Sequence, residues 1–74
     1  MEWVPVESRM LAAVAYSPDW QQLYLRFRSG EVYCYRGVPI GQHQKLLAAD
    51  SKGQYFRVHI RNRYPCQRLR SAAS

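Results

Sequence analysis

Three short segments early in the chain carry strand-like patterns, and two later ones carry helix-like patterns. Residues 10–16, MLAAVAY, form an apolar run of strand length, closed by Ser17-Pro18-Asp19, where Pro presets φ and Asp can bond its own backbone. Residues 22–28, QLYLRFR, alternate: Leu23, Leu25 and Phe27 share one face, and Tyr24, Arg26 and Arg28 the other. Ser29-Gly30 supplies a turn, and Val32 to Arg36 make a third strand. These segments predict an antiparallel meander. Val38-Pro39 ends it. Pro39 suits a first helical position, and Ile40 to Ala49 is expected to be helical, with Gly41 weakening the first turn and His43, Leu46 and Leu47 on one side. Ser51 and Gln54 have capping-box spacing, so a second helix is expected from about residue 52 to about 62, ended by Tyr64-Pro65. Its apolar stripe is Tyr55, Phe56, His59 and Ile60, and Arg57 and Arg61 stand one turn apart on the exposed side.

The loop of the second hairpin decides the fate of two tyrosines. A two-residue loop pairs Phe27 with Val32 and turns Tyr33 and Tyr35 outward beside Tyr24 and Arg26. A three-residue loop, with Gly30 as a left-handed bulge residue, pairs Phe27 with Glu31 and sends both tyrosines toward Leu23, Leu25 and Phe27. The inward register is favoured, because so small a domain needs large rings for burial. Tyr33, Tyr35, Phe27, Tyr55, Phe56 and Ile60 are therefore assigned structural roles. The expected fold is α+β: a three-stranded antiparallel meander with two short helices packed on one face. It forms one domain over residues 1–74, with an ordered core at about 6–65. The tail 66–74 is expected to be partly flexible, fraying beyond Leu69.

Length and composition narrow the classes. With 74 residues there is no room for a second core, and 47% apolar content excludes a disordered chain. The N-terminus MEWVPVESRM shows no secretory pattern, and Met10 to Tyr16 is too short to span a membrane. Two cysteines make no disulfide scaffold. These features predict a cytoplasmic protein with reduced thiols and no membrane partner.

Charge is distributed unevenly. Residues 1–50 balance Arg9, Arg26, Arg28, Arg36 and Lys45 against Glu2, Glu7, Asp19, Glu31 and Asp50. Residues 51–74 hold Lys52, Arg57, Arg61, Arg63, Arg68 and Arg70 with no acid, and so carry the whole net charge of +6. Such a segment suits a phosphate backbone, with Lys52, Arg57, Arg61, Arg63, Arg68 and, from the sheet, Arg26 as the expected nucleic-acid contacts. An acidic protein surface is the alternative partner. Ser51, Lys52 and Gly53 could form an anion site at a helix start, where free amides attract negative charge. The alternative, favoured here, is that Gly53 takes a positive φ to end the first helix or link the two.

Catalysis finds little support. The five acids are scattered, and Cys34 and His43, on a strand and a helix start, form no nucleophile–base signature. Two Cys and two His match a zinc ligand count, but the positions 34, 43, 59 and 66 contain no paired knuckle. No metal, cofactor or catalytic residue is expected.

Two stretches carry a family pattern. L-x-L-x-F-x-S-G-E-V-Y-C-Y-x-x-V-P, from Leu23 to Pro39, and L-L-A-A-D-S-K-G-Q-Y-F-x-x-x-I-R-x-x-Y, from Leu46 to Tyr64, resemble the KTSC domain. That family occurs at the C-terminus of some lysyl-tRNA synthetases and as stand-alone bacterial proteins. The resemblance runs from about Val6 to Tyr64, with Tyr33 and Tyr35 matching its central tyrosine pair. It implies the fold and, through the synthetase fusion, RNA binding, with no reaction and no catalytic residues. A polar residue is usual between the two tyrosines, where this chain has Cys34, and that supports the inward register. His43 stands where an aromatic residue is usual, and Arg9 where a second serine is usual.

Overall fold

A computed structural model describes residues 2–72. The meander is present as β2 (Leu11–Ser17), β3 (Gln22–Phe27) and β4 (Val32–Arg36), followed by α1 (Ile40–Ala48) and α2 (Lys52–His59). The strand count needs correction. Val4–Pro5 forms a short β1, and Cys66–Arg70 forms β5, so the sheet has five antiparallel strands in the order β1-β2-β3-β4-β5. Of the tail expected to be partly flexible, residues 66–70 pair with β4, and positions 73 and 74 lie outside the described residues. All five residues of β5 are exposed, so its backbone ladder holds it in place with no buried side chain to announce it.

The bulged hairpin register forms. Phe27 donates its amide to the Glu31 carbonyl at 2.8 Å, Gly30 donates to the Phe27 carbonyl at 2.9 Å, and Leu25 and Leu23 lie opposite Tyr33 and Tyr35. Gly30 has φ 101°, a left-handed conformation that costs glycine nothing. A second irregularity lies in β2 between Leu11 and Ala13. It places Leu11 and Val14 on the same face despite their odd spacing, and both are fully buried.

Both helices cover that face. The core joins Leu11, Val14, Leu23, Leu25 and Tyr35 of the sheet to Val38, to Leu46 of α1, and to Phe56 and Ile60 of α2. The turn before α1 is tied to the first hairpin: the Tyr16 hydroxyl donates to the Val38 carbonyl at 2.6 Å, and the Val38 amide donates to Gln21. Pro39 is the N-cap of α1, one position earlier than expected. α2 ends at His59, short of the expected residue 62. Ile60 and Arg61 both donate to the Phe56 carbonyl, and Asn62 turns the chain at φ 62°, so the helix stops before Tyr64-Pro65 can act.

Candidate nucleic-acid interface

The site is built where α2 runs out and the chain turns back along β4. Arg57 on α2, Arg61 and Arg63 in the following turn, and Arg68 on β5 are all exposed. Arg68 lies opposite Tyr33 in the ladder. Asn62 follows Arg61 in the turn after α2 with a left-handed φ of 62°.

Beside Arg61 lies a groove of about 400 Å³ between α2 and the last two strands. Phe27, Tyr33, Tyr35, Phe56 and Tyr64 supply aromatic walls, Met10 closes one side, and Glu31, Arg61, Asn62 and Cys66 add polar groups. The rings form a connected set. Phe27 meets Tyr33 and Phe56 edge-on at 5.7 Å and 5.4 Å, Tyr35 meets Phe56 at 5.7 Å, and Tyr33 lies 6.3 Å from Tyr35. The two signature tyrosines differ in environment. Tyr35 is buried in the core, whereas Tyr33 is only partly buried, and both line the groove. Burial pushes the Tyr35 phenol well above its ordinary range; Cys66 and Tyr33 reinforce the rise, and the charge of Arg61 opposes it.

The other predicted residues fall elsewhere. Arg26 alternates with Leu25 and Phe27, so it lies on the opposite sheet face. Its guanidinium sits 4.5 Å above the Trp3 ring, and its Nε is buried without a hydrogen-bond partner. At the start of α2 the Ser51 hydroxyl accepts from the Gln54 amide at 3.2 Å, as a cap, and Lys52 Nζ donates to the Ala49 carbonyl at 3.0 Å. A depression of about 520 Å³ there is lined by Glu7 and Asp50 as well as Arg9, Lys52 and Arg57, so its charges are mixed. Gly53 does not adopt the positive φ favoured from sequence: it lies in the first turn of α2, outside the positive-φ positions. A Cβ on it would stand 3.3 Å from the Met10 Cβ, so its bare backbone lets α2 pack closely on the start of β2. Of the apolar stripe, Phe56 and Ile60 are buried, Tyr55 is partly buried and His59 is exposed, its ring 4.3 Å from that of Tyr55.

His43 stacks on Tyr16 at 4.6 Å with the ring planes 9° apart, and burial lowers its pKa below the usual 6.5. Cys34 is buried and Cys66 exposed. Among the described residues no group of three metal-ligating side chains occurs, and no helix is long and apolar enough to cross a membrane. Sequence reasoning missed Glu31, Asn62, Tyr64 and Cys66 as groove residues. Glu31 and Tyr64 carried a signal, as residues of the family pattern; Asn62 and Cys66 carried none, because Cys66 reaches the groove only once β5 has folded back on β4.

The molecule is thus a small α+β domain with an open aromatic groove beside a basic surface. It belongs to the KTSC domain family, whose model matches residues 7–64. A region of a lysine–tRNA ligase from Nostoc sp. is 38% identical over 63 residues, which is 85% of this chain but only 11% of the ligase. A protein of Tsukamurella paurometabola is 40% identical over 60 residues, covering 81% of this chain and 90% of that one. The related domain therefore occurs within a ligase chain and as nearly the whole of a small protein. The crystal structure of a KTSC domain protein from Yersinia pestis superposes with a TM-score of 0.91 at 33% identity, covering 93% of this chain and 97% of the other.

Proposed function

We propose that this domain is a non-catalytic, cytoplasmic binding module that holds single-stranded RNA through its basic C-terminal face, without sequence preference in its backbone contacts. The observation that carries this reading is a groove walled by aromatic rings with exposed Arg61 in its lining, in a chain whose C-terminal third also exposes Arg57, Arg63 and Arg68. Arginines neutralise phosphates, and partly exposed rings accept unstacked bases. The occurrence of the related domain in a chain named lysine–tRNA ligase supports an RNA context.

The test is a titration of fluorescent single-stranded RNA and of tRNA at several salt concentrations. Binding should weaken steeply with salt. Arg57→Ala combined with Arg61→Ala should flatten the slope of log K against log salt by about 1.4, two contacts at ~0.7 each for a single strand. Both side chains are exposed, so stability should change by less than ~0.5 kcal/mol. A wild type that binds with a slope unchanged by the double substitution would place the site elsewhere. No binding to any RNA or DNA at low salt would end the reading and leave an acidic protein surface as the partner to pursue.

A further inference from the structure

The groove contains one feature that backbone tracking does not require: a carboxylate. Glu31 is the single acid among the groove residues, where it works against phosphate binding. It stands in the β3–β4 turn, its backbone fixed by the Phe27 amide and one carboxylate oxygen accepting from the Ser29 hydroxyl at 3.2 Å. Arg61, a cation, and the partly exposed ring of Tyr33 line the same groove.

We propose that this groove receives one unstacked guanine base of the bound strand, which rests on Tyr33, with its Watson–Crick edge on Glu31 and its phosphate on Arg61. The proposal rests on the RNA-binding reading and adds to it a preference at one nucleotide. A carboxylate only accepts, through two oxygens side by side. It therefore matches an edge that offers two adjacent donors. Guanine presents N1–H and N2–H2 together. Adenine and cytosine each present a donor next to an acceptor, and uracil presents one donor between two acceptors. Single-stranded RNA is read in this way, by stacking on aromatic rings and by hydrogen bonds to the exposed base edges. The groove volume of about 400 Å³ falls within the ~300–1,000 Å³ usual for small-ligand sites, enough for one nucleotide and too little for a duplex. Charge fits as well: the groove holds one acid, Glu31 at the turn, for the base edge and one arginine, Arg61, for the phosphate.

The probes are dodecameric oligouridylates carrying a central guanosine, adenosine or cytidine, with the all-uridine strand as reference. The guanosine probe should bind about tenfold more tightly than the others, the usual worth of one bidentate base contact. Glu31→Gln should abolish that difference and leave affinity for the all-uridine strand unchanged or slightly improved, since a repulsive charge is lost. Location is read independently from Cys66, an exposed thiol in the groove, whereas Cys34 is buried. Saturating guanosine probe should slow Cys66 alkylation by iodoacetamide at least severalfold. Equal affinity for all four strands would overturn the base preference while leaving RNA binding intact. A preference that survives Glu31→Gln, or a Cys66 that alkylates at the free rate under saturation, would also overturn it. Failure of every probe to bind would remove the RNA-binding reading itself.

Discussion

The two faces of this sheet reach similar burial by different means. On the helix-covered face, Leu11, Val14, Leu23, Leu25 and Tyr35 pack under Leu46, Phe56 and Ile60. On the other face no helix lies over the sheet among the described residues, yet Ala13, Ala15, Val32 and Cys34 are each less than 10% exposed. Their cover is a single layer of longer side chains: Trp3 meets Tyr24 edge-on at 6.5 Å, and Arg26 lies over the Trp3 ring. Residues beneath such a thin cover must be small, and they are. A helical layer needs large residues to fill the space below it, and past the end of α2 at His59 those residues emerge as the groove. Tyr35 lies beneath the helix, and Tyr33 toward the opening. The difference leaves Tyr35 buried in the core and Tyr33 partly exposed to the groove, and the contact role we propose falls on Tyr33.

Substitutions can break or sharpen this contrast. The largest effect is expected at Tyr35. Truncating a buried aromatic ring costs ~3–5 kcal/mol, so Tyr35→Ala should unfold or nearly unfold a domain of this size, as seen by loss of a cooperative thermal transition. A native transition in that variant would mean that the helical face does not depend on the ring. Trp3→Ala should cost less, on the order of 1–2 kcal/mol, because a half-buried ring loses part of a core deletion and a cation–π contact. Urea denaturation measures this, and a loss equal to that of Tyr35→Ala would erase the distinction between the two faces.

A smaller effect is expected at the cap of α2. Ser51→Ala should destabilise by ~1 kcal/mol, while Ser51→Asp should be tolerated, because a carboxylate also caps and its charge suits the helix start. If Ser51 instead serves an anion, the Asp variant should keep its melting temperature and lose binding.

The subtlest effect is pH dependence at His43. Its folded pKa is depressed by burial, so below the unfolded value near 6.5 the unfolded chain binds more protons than the folded one. Stability should therefore fall as pH drops through 6.5 and level off below the folded pKa. His43→Phe should keep the stack on Tyr16 and flatten the melting temperature between pH 7.5 and pH 5. An unchanged acid slope would assign the effect to another group.

Much of the helix-covered face was legible along the chain. Alternation in QLYLRF marks β3, and Ser29-Gly30 with an adjacent Glu31 permits the bulged turn that points both tyrosines inward. Ser51 and Gln54 announce the start of α2 with the capping bond that is observed. These are local signals: each depends on residues within a few positions, whose side-chain periodicity and turn chemistry act before any long-range contact forms.

The candidate site was only half legible. Charge alone points to its arginines, and of these Arg61 lines the groove while Arg57 lines the depression at the start of α2. Arg26 was grouped with them, yet strand alternation and Trp3 hold it on the opposite face. Cys66 joins the groove through β5 returning to β4, and the split between Tyr33 and Tyr35 follows from where α2 covers the sheet.

Local order in this protein, comprising strands, caps, the hairpin register and the charge imbalance, was thus determined by the sequence itself. Tertiary structure decided the edges. β1 and β5 expose all their residues, so neither leaves a pattern of buried and solvent-facing positions to read. Each is held by backbone hydrogen bonds to a partner strand, and such bonds carry no side-chain signature. The early stop of α2 has the same origin. A left-handed Asn62 and a doubly accepting Phe56 carbonyl turn the chain toward an edge of β4 that exists only in the folded sheet.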